Sequence, residues 1–195
     1  TGLQTYGESL ALSAPVTTFT GGVVLQGTSV VADHAVVFNG AVTVSAANVL
    51  IHTNGNLTFN STIDADLVST TNTQTLQLNS VGSGAGGVAG DISVSGAVGS
   101  ASHLLKTLEM VNSKSTTFAG AVSTGTSVVL TDTLNTIAFN AGLNTPTLLR
   151  RTCSTLSVTL FGQPFQSLSC CWLGGELPRL EALLTTYRWA YAQPG

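Results

Sequence analysis

The sequence has little charge, few aromatic rings, little proline and, over most of its length, no cysteine or arginine. Charged residues are 8 % of 195, against about 25 % in an average globular domain. The net charge is −3, so no basic patch is offered to nucleic acid, and no nucleic-acid partner is expected. No apolar run approaches the roughly 20 residues that a spanning helix needs, so no transmembrane segment is expected. The cysteines are Cys153, Cys170 and Cys171. Their spacing is not the C-x-x-C type that metal sites use, and no metal or cofactor is expected. If the end of the chain is native, Cys153 could bridge to one of the adjacent pair. No Ser-His-Asp arrangement, phosphate loop or dinucleotide fingerprint occurs. The chain starts at Thr1, its one methionine is Met110 and it shows no signal peptide. It reads as an excerpt of something longer or as a processed form.

What is present is glycine (21 residues), with threonine, serine, asparagine, valine and alanine, and a pattern that recurs. Thr17–Asp33 (TTFTGGVVLQGTSVVAD) and Thr116–Asp132 (TTFAGAVSTGTSVVLTD) are two copies of one text. Its kernel is a large apolar residue, two polar or small residues, a small residue, then Val, Ile or Leu. It begins at Phe19, Phe38, Phe59, Val94, Phe118 and Phe139, at steps of 19, 21, 35, 24 and 21 residues. Repeats near twenty residues point to a solenoid, in which each unit buries its apolar face on its neighbours. Short segments alternate, as in Leu10-Ala-Leu12, Val42-Thr-Val44, Leu57-Thr-Phe59, Leu76-Gln-Leu78 and Ile92-Ser-Val94, the period of strands with one buried face.

Val23–Val31 and Ala35–Val44 read as strands, with Asp33-His34 as a turn between them. Asn54-Gly55 is a strong turn signal. Val81–Gly90 carries five glycines in ten residues and reads as a loop or tight corner. Leu104–Val111 fits either a short helix or a strand. The expected fold is all-β, a right-handed parallel β-helix with coils of about 20 residues. Phe38 and Phe59 would then stand one above the other inside. A β-sandwich of many short strands is the alternative.

At Arg150 the text changes. All the arginines, cysteines and tryptophans lie from there on, and the kernel does not recur. Leu177–Trp189 places Leu180, Leu183, Leu184 and Tyr187 on one helical face. The chain divides into a repeat region, 1–149, and a tail, 150–195. The tail is read as a cap, an interaction segment or an out-of-frame end.

By Gln4-Thr-Tyr6, Leu57-Thr-Phe59-Asn60, Gly96-Ala-Val98 and Thr116–Val122, residues 1–149 resemble the bacterial repeat exoproteins of the filamentous haemagglutinin and autotransporter-passenger type. The resemblance implies a β-helical adhesin shaft at the cell surface or secreted. Its partners would be adjacent repeats of a longer chain and a host or surface glycan or protein. A non-enzymatic structural and adhesive segment is therefore expected.

Two further readings stay open. Asp64 and Asp66 fall on one side of a strand. Paired carboxylates on a β-helix face could serve acid–base cleavage of polysaccharides, the alternative to the adhesive reading. Threonine-rich faces suggest a glycan- or ice-binding module, although no fixed T-x-T register recurs. His34 and His52 could align on adjacent coils, but two ligands make no structural zinc site, and His103 stands apart. Gly86–Asp91 bears a faint similarity to a calcium-binding nonapeptide; it occurs once and departs from that pattern at Ala89 and Ser93.

Overall fold

The computed structural model describes residues 2–66, 73–82, 89–100 and 102–149, and the backbone of 150, 157–160 and 163–165. The helix read at Leu177–Trp189, the three cysteines and Gly86-Gly87 lie outside them. The described residues form strands and no helix, wound as a parallel β-solenoid of about six turns with about 21 residues per turn.

Each turn contributes a short strand to each of three faces. The first face is built by β1 (Gln4–Tyr6), β4 (Val23–Leu25), β7 (Val42–Val44) and β10 (Ile63–Ala65). It continues through the bridge residue Val98 to Val122, where the nine-residue β15 (Val122–Leu130) begins, and on to β17 (Leu143–Asn144). The second face holds β2 (Leu10–Leu12), β5 (Ser29–Ala32), β8 (Asn48–Thr53), β11 (Thr75–Ser80), β13 (Leu105–Asn112), the end of β15 and β18 (Thr147–Arg150). The third holds β3 (Val16–Phe19), β6 (Ala35–Phe38), β9 (Leu57–Phe59), β12 (Ile92–Val94), β14 (Thr116–Phe118), β16 (Thr136–Phe139) and β19 (Ser157–Leu160). All these pairings are parallel, which decides against the sandwich, a fold of antiparallel sheets. The antiparallel pair among the described strands is β19 with β20 (Gln163–Phe165).

The kernel explains itself position by position. Its first residue stands on the third face, pointing inward. Phe19 pairs with Phe38, Phe38 with Phe59, Phe59 with Val94, Val94 with Phe118, and Phe118 with Phe139. The rings of Phe19, Phe38 and Phe59 stack at 4.8 and 4.9 Å, those of Phe118 and Phe139 at 5.0 Å. Those separations match the ~4.7–4.9 Å between hydrogen-bonded strands, so backbone stacking itself sets the rings face to face. In four of the six copies a glycine two positions later turns the corner; Ser61 and Ala141 hold that place in the others. A Cβ on Gly40 would come 2.3 Å from the Gly21 backbone, and one on Gly120 2.4 Å from that of Gly96, so these corners close only without side chains. The last kernel residue opens the next turn. Val23, Val42, Ile63, Val98 and Val122 are all buried on the first face. Alternation sends every second strand residue inward to a single continuous core.

Two runs read as single strands are each divided. Val23–Val31 breaks into β4 and β5 around residues 26–28, and Ala35–Val44 into β6 and β7 around 39–41. A glycine centres each break, Gly27 and Gly40, and a Cβ on either would strike the backbone of the previous turn. Local sequence reads as extended because the chain stays extended on both sides of the corner. Asn54-Gly55 also makes a corner rather than a hairpin, since its flanking strands lie on different faces. From Leu105 on, the run Leu104–Val111 is strand, not helix: Leu108 and Met110 point into the core and Glu109 lies between them.

Where the second face meets the third, the interior is polar. Thr53, Ser80, Ser113 and Thr133 are buried there. Ser80 Oγ donates to Gly55 O at 2.7 Å, and Ser113 Oγ lies 2.8 Å from Thr116 Oγ1 and 2.9 Å from Thr133 Oγ1. Buried hydroxyls are tolerated because each finds a partner on its own or an adjacent turn.

Candidate functional site

Ile63 and Ala65 of β10 face the core, so the alternation turns Asp64 outward on the first face, and Asp66 follows just beyond the strand. Both carboxylates are half-buried and engaged. Asp64 Oδ1 accepts the Ser100 N–H at 2.8 Å, and Asp66 Oδ2 accepts the Ser45 hydroxyl at 2.7 Å. Asp66 thus ties its turn to the one before, and Asp64 to the one after.

The segment after Val98 completes this cluster. Gly99 N–H donates to Ile63 O and Ala65 N–H to His103 O, at 2.8 and 2.9 Å. His103 Nδ1 lies 3.2 Å from Ala65 O; facing a carbonyl, it is the donor. Gly99 makes the approach feasible. Its φ is +71°, and a Cβ there would come 2.2 Å from Ser123 O. The fold therefore brings His103 onto the backbone of Ala65, the residue between Asp64 and Asp66. Gly99, Ser100 and His103 dock on β10, where the Asp64 carboxylate accepts and the imidazole donates.

The two other histidines are not brought together. His52 pairs in register with Val31 and Asn79, and Asn79 Nδ2 lies 3.0 Å from its Nδ1. His34 is exposed at the corner between β5 and β6, where Gly55 packs over the next turn. The offset arises because His34 sits on a corner and His52 within a strand. No group of three or more His, Cys, Asp or Glu side chains able to hold a metal occurs among the described residues. Asp91 is exposed and its N–H donates to Asn56 Oδ1 at 3.0 Å. No helix among the described residues is long and apolar enough to cross a membrane.

One acid went unremarked in the sequence. Glu109, on the outer side of β13, is 8 % exposed. Gln77 Nε2 donates to its Oε2 and Thr131 Oγ1 to its Oε1, both at 2.9 Å. These partners come from the turns on either side, so Glu109 clamps three turns. Its signal was the alternation of Leu108, Glu109 and Met110, which reads outward for Glu109 once the segment is a strand.

The outer side of the third face is of a different kind. Its central column runs Thr18, Val37, Thr58, Ser93, Thr117 and Ala138. No strand of this face from β3 to β16 carries a charged residue. Asn39 and Asn60 flank the column at one corner, with Asn60 Nδ2 donating to Asn39 Oδ1 at 2.8 Å. The result is a ribbon of small hydroxyl, methyl and amide groups, while the first and second faces carry the acids Asp64 and Glu109. Compared with known proteins, the chain has no match among family models, curated proteins or solved structures.

Proposed function

We propose that residues 1–149 are a non-enzymatic structural and adhesive segment of a large bacterial surface or secreted repeat protein, of the filamentous haemagglutinin type. The observation that carries this reading is the in-register inner column from Phe19 to Phe139, flanked on its outer side by a strand face free of charge. Such a column makes a rigid rod whose length grows by repetition, because each turn draws its core from its neighbours. A ribbon of small uncharged groups supports contact with a host or surface glycan or protein through hydrogen bonds and close fit rather than through charge. Adjacent repeats of a longer chain are the other proposed partner, and the proposed location is the cell surface or the medium.

The polysaccharide-cleaving alternative loses support from the site itself. Asp64 and Asp66 each already accept a donor from a neighbouring turn, which is the work of a structural clamp. The test is retention of beads coated with the folded chain on host-cell surfaces and glycan arrays. Retention is expected with folded protein and not with denatured protein. Retention on neither surface overturns the adhesive reading. Release of reducing ends or unsaturated products from pectin-like polymers, lost in Asp64→Ala and Asp66→Ala, overturns the non-enzymatic one.

A further inference from the structure

We propose that Tyr6 is a lid on the phenylalanine ladder, and that the edge it guards is a latent docking surface for a second copy of this chain. Among the described residues, β1, β2 and β3 are each paired on one side only, with β4, β5 and β6. Three open edges therefore lie at one end of the rod. Open edges are usually blunted by charge, proline or a bulge. Gln4-Thr-Tyr6, Leu10-Ala-Leu12 and Val16-Thr-Thr-Phe19 contain no charged residue and no proline, and their pairings run without a register shift. Leu3 and Val16 at this end are 71 % and 57 % exposed.

The guard is a ring. Phe38 lies between Phe19 and Phe59, with planes within 7° of parallel on both sides. Phe19 has a stacked neighbour on one side, Phe38. It is nevertheless 6 % exposed, so its open side is covered as well. Its other ring contact is Tyr6, at 5.7 Å between centroids and 78° between planes, an edge-to-face arrangement that closes the ladder instead of extending it. Tyr6 does not belong to the ladder's column. It heads an inward column of the first face, followed in register by Leu25, Val44 and Ala65, whose aliphatic side chains are part of the core.

The occupant follows from the interface already built. Turn stacks on turn along the rod, so the open edges offer the same backbone groups and inward row that each inner turn offers its neighbour. A second copy presents those edges too. The third-face sheet accepts an antiparallel neighbour, as the pairing of β20 with β19 shows. Two first turns set edge to edge about a two-fold axis place β3 against its copy in that antiparallel sense, and such an isologous contact closes as a dimer. With Tyr6 across Phe19, the two ladders do not meet. This inference goes beyond the adhesive reading and does not rest on it, since the outer side of the third face takes no part.

The full chain and its variants are compared by sedimentation velocity in reducing buffer, which keeps the cysteines from linking copies. The unchanged chain and Tyr6→Phe, which retains the ring, are expected to sediment as monomers. Tyr6→Leu gives the position the residue that the same column holds at Leu25, and is expected to shift to a dimer. Tyr6→Val, after Val44, takes its place if the leucine variant loses strand content by circular dichroism. Leu3→Lys and Val16→Lys added to the opened variant set four positive charges in the joint and should return it to monomer. An unchanged chain that associates as strongly as the opened variant overturns the lid. An opened variant that stays monomeric, or a dimer that survives the lysines, overturns the docking surface, and open-ended assemblies overturn the two-fold joint.

Discussion

Between Phe38 and Phe59 the chain takes 21 residues to climb one turn, and between Phe59 and Val94 it takes 35. Both steps nevertheless rise by one strand spacing, because β9 pairs with β6 on one side and with β12 on the other in the same register. The third turn passes its first corner with Ser45, Ala46 and Ala47; in the fourth, nine positions separate β10 from β11 and eleven separate β11 from β12. Corners accept length because a longer connection costs only logarithmically in closure entropy. Strand positions do not, since a one-residue slip would turn every core residue outward. The longer turn also differs in what it buries. It replaces phenylalanine with Val94, and it carries Leu76 and Leu78 where the third turn has Val49 and Ile51. Little of the volume lost on the third face is recovered on the second, where Leu76 adds one methylene over Val49 and Leu78 is isomeric with Ile51.

The comparison can be broken most severely at its centre. Phe59→Ala removes a fully buried ring that stacks on Phe38 and should cost about 3–5 kcal/mol. Urea unfolding of the intact chain would measure it; a loss under about 1 kcal/mol would mean the column contributes little beyond its area. Val94→Phe comes next. If the turns have closed around the smaller Val94, the added ring overpacks the core and costs about 1–3 kcal/mol. A gain in melting temperature would instead show room for an unbroken ladder of rings. Ten Gly/Ser residues inserted between Ala46 and Ala47 should cost about 1.3 kcal/mol, by the same entropy argument. A larger loss would mean that the short corner itself holds the third turn. The smallest effect is expected at Thr58→Ala, which leaves the sheet's inner side untouched and should stay within about 0.5 kcal/mol. That variant and Phe59→Ala differ by one residue along one strand, so their contrast isolates the inward direction.

Much of the fold was legible because a solenoid writes its core periodically. The phenylalanine kernel, its glycine and its closing valine appear as text before they appear as a stack, a corner and the next strand. The tight corners at Gln26-Gly27-Thr28 and Asn39-Gly40-Ala41 were not legible. Nothing in an extended run with one central glycine distinguishes a bend from a continued strand. Asp64 and Asp66 could be placed on one side of a strand, but not their partners. Ser100 lies 36 residues beyond Asp64 and Ser45 lies 21 before Asp66, distances that depend on the length of each intervening turn. Glu109 was passed over because its segment also fitted a helix, in which it would have held no such position.

The sequence by itself determined which residues face inward, through alternation, and that the units stack, since no single unit carries enough apolar surface to bury its own. Only the tertiary structure decided who meets whom between turns. Parallel stacking at one strand spacing brings together residues separated by a full turn of chain, and turns of unequal length shift that separation. Hence His103 reaches Ala65, Glu109 lies between Gln77 and Thr131, and His34 misses His52.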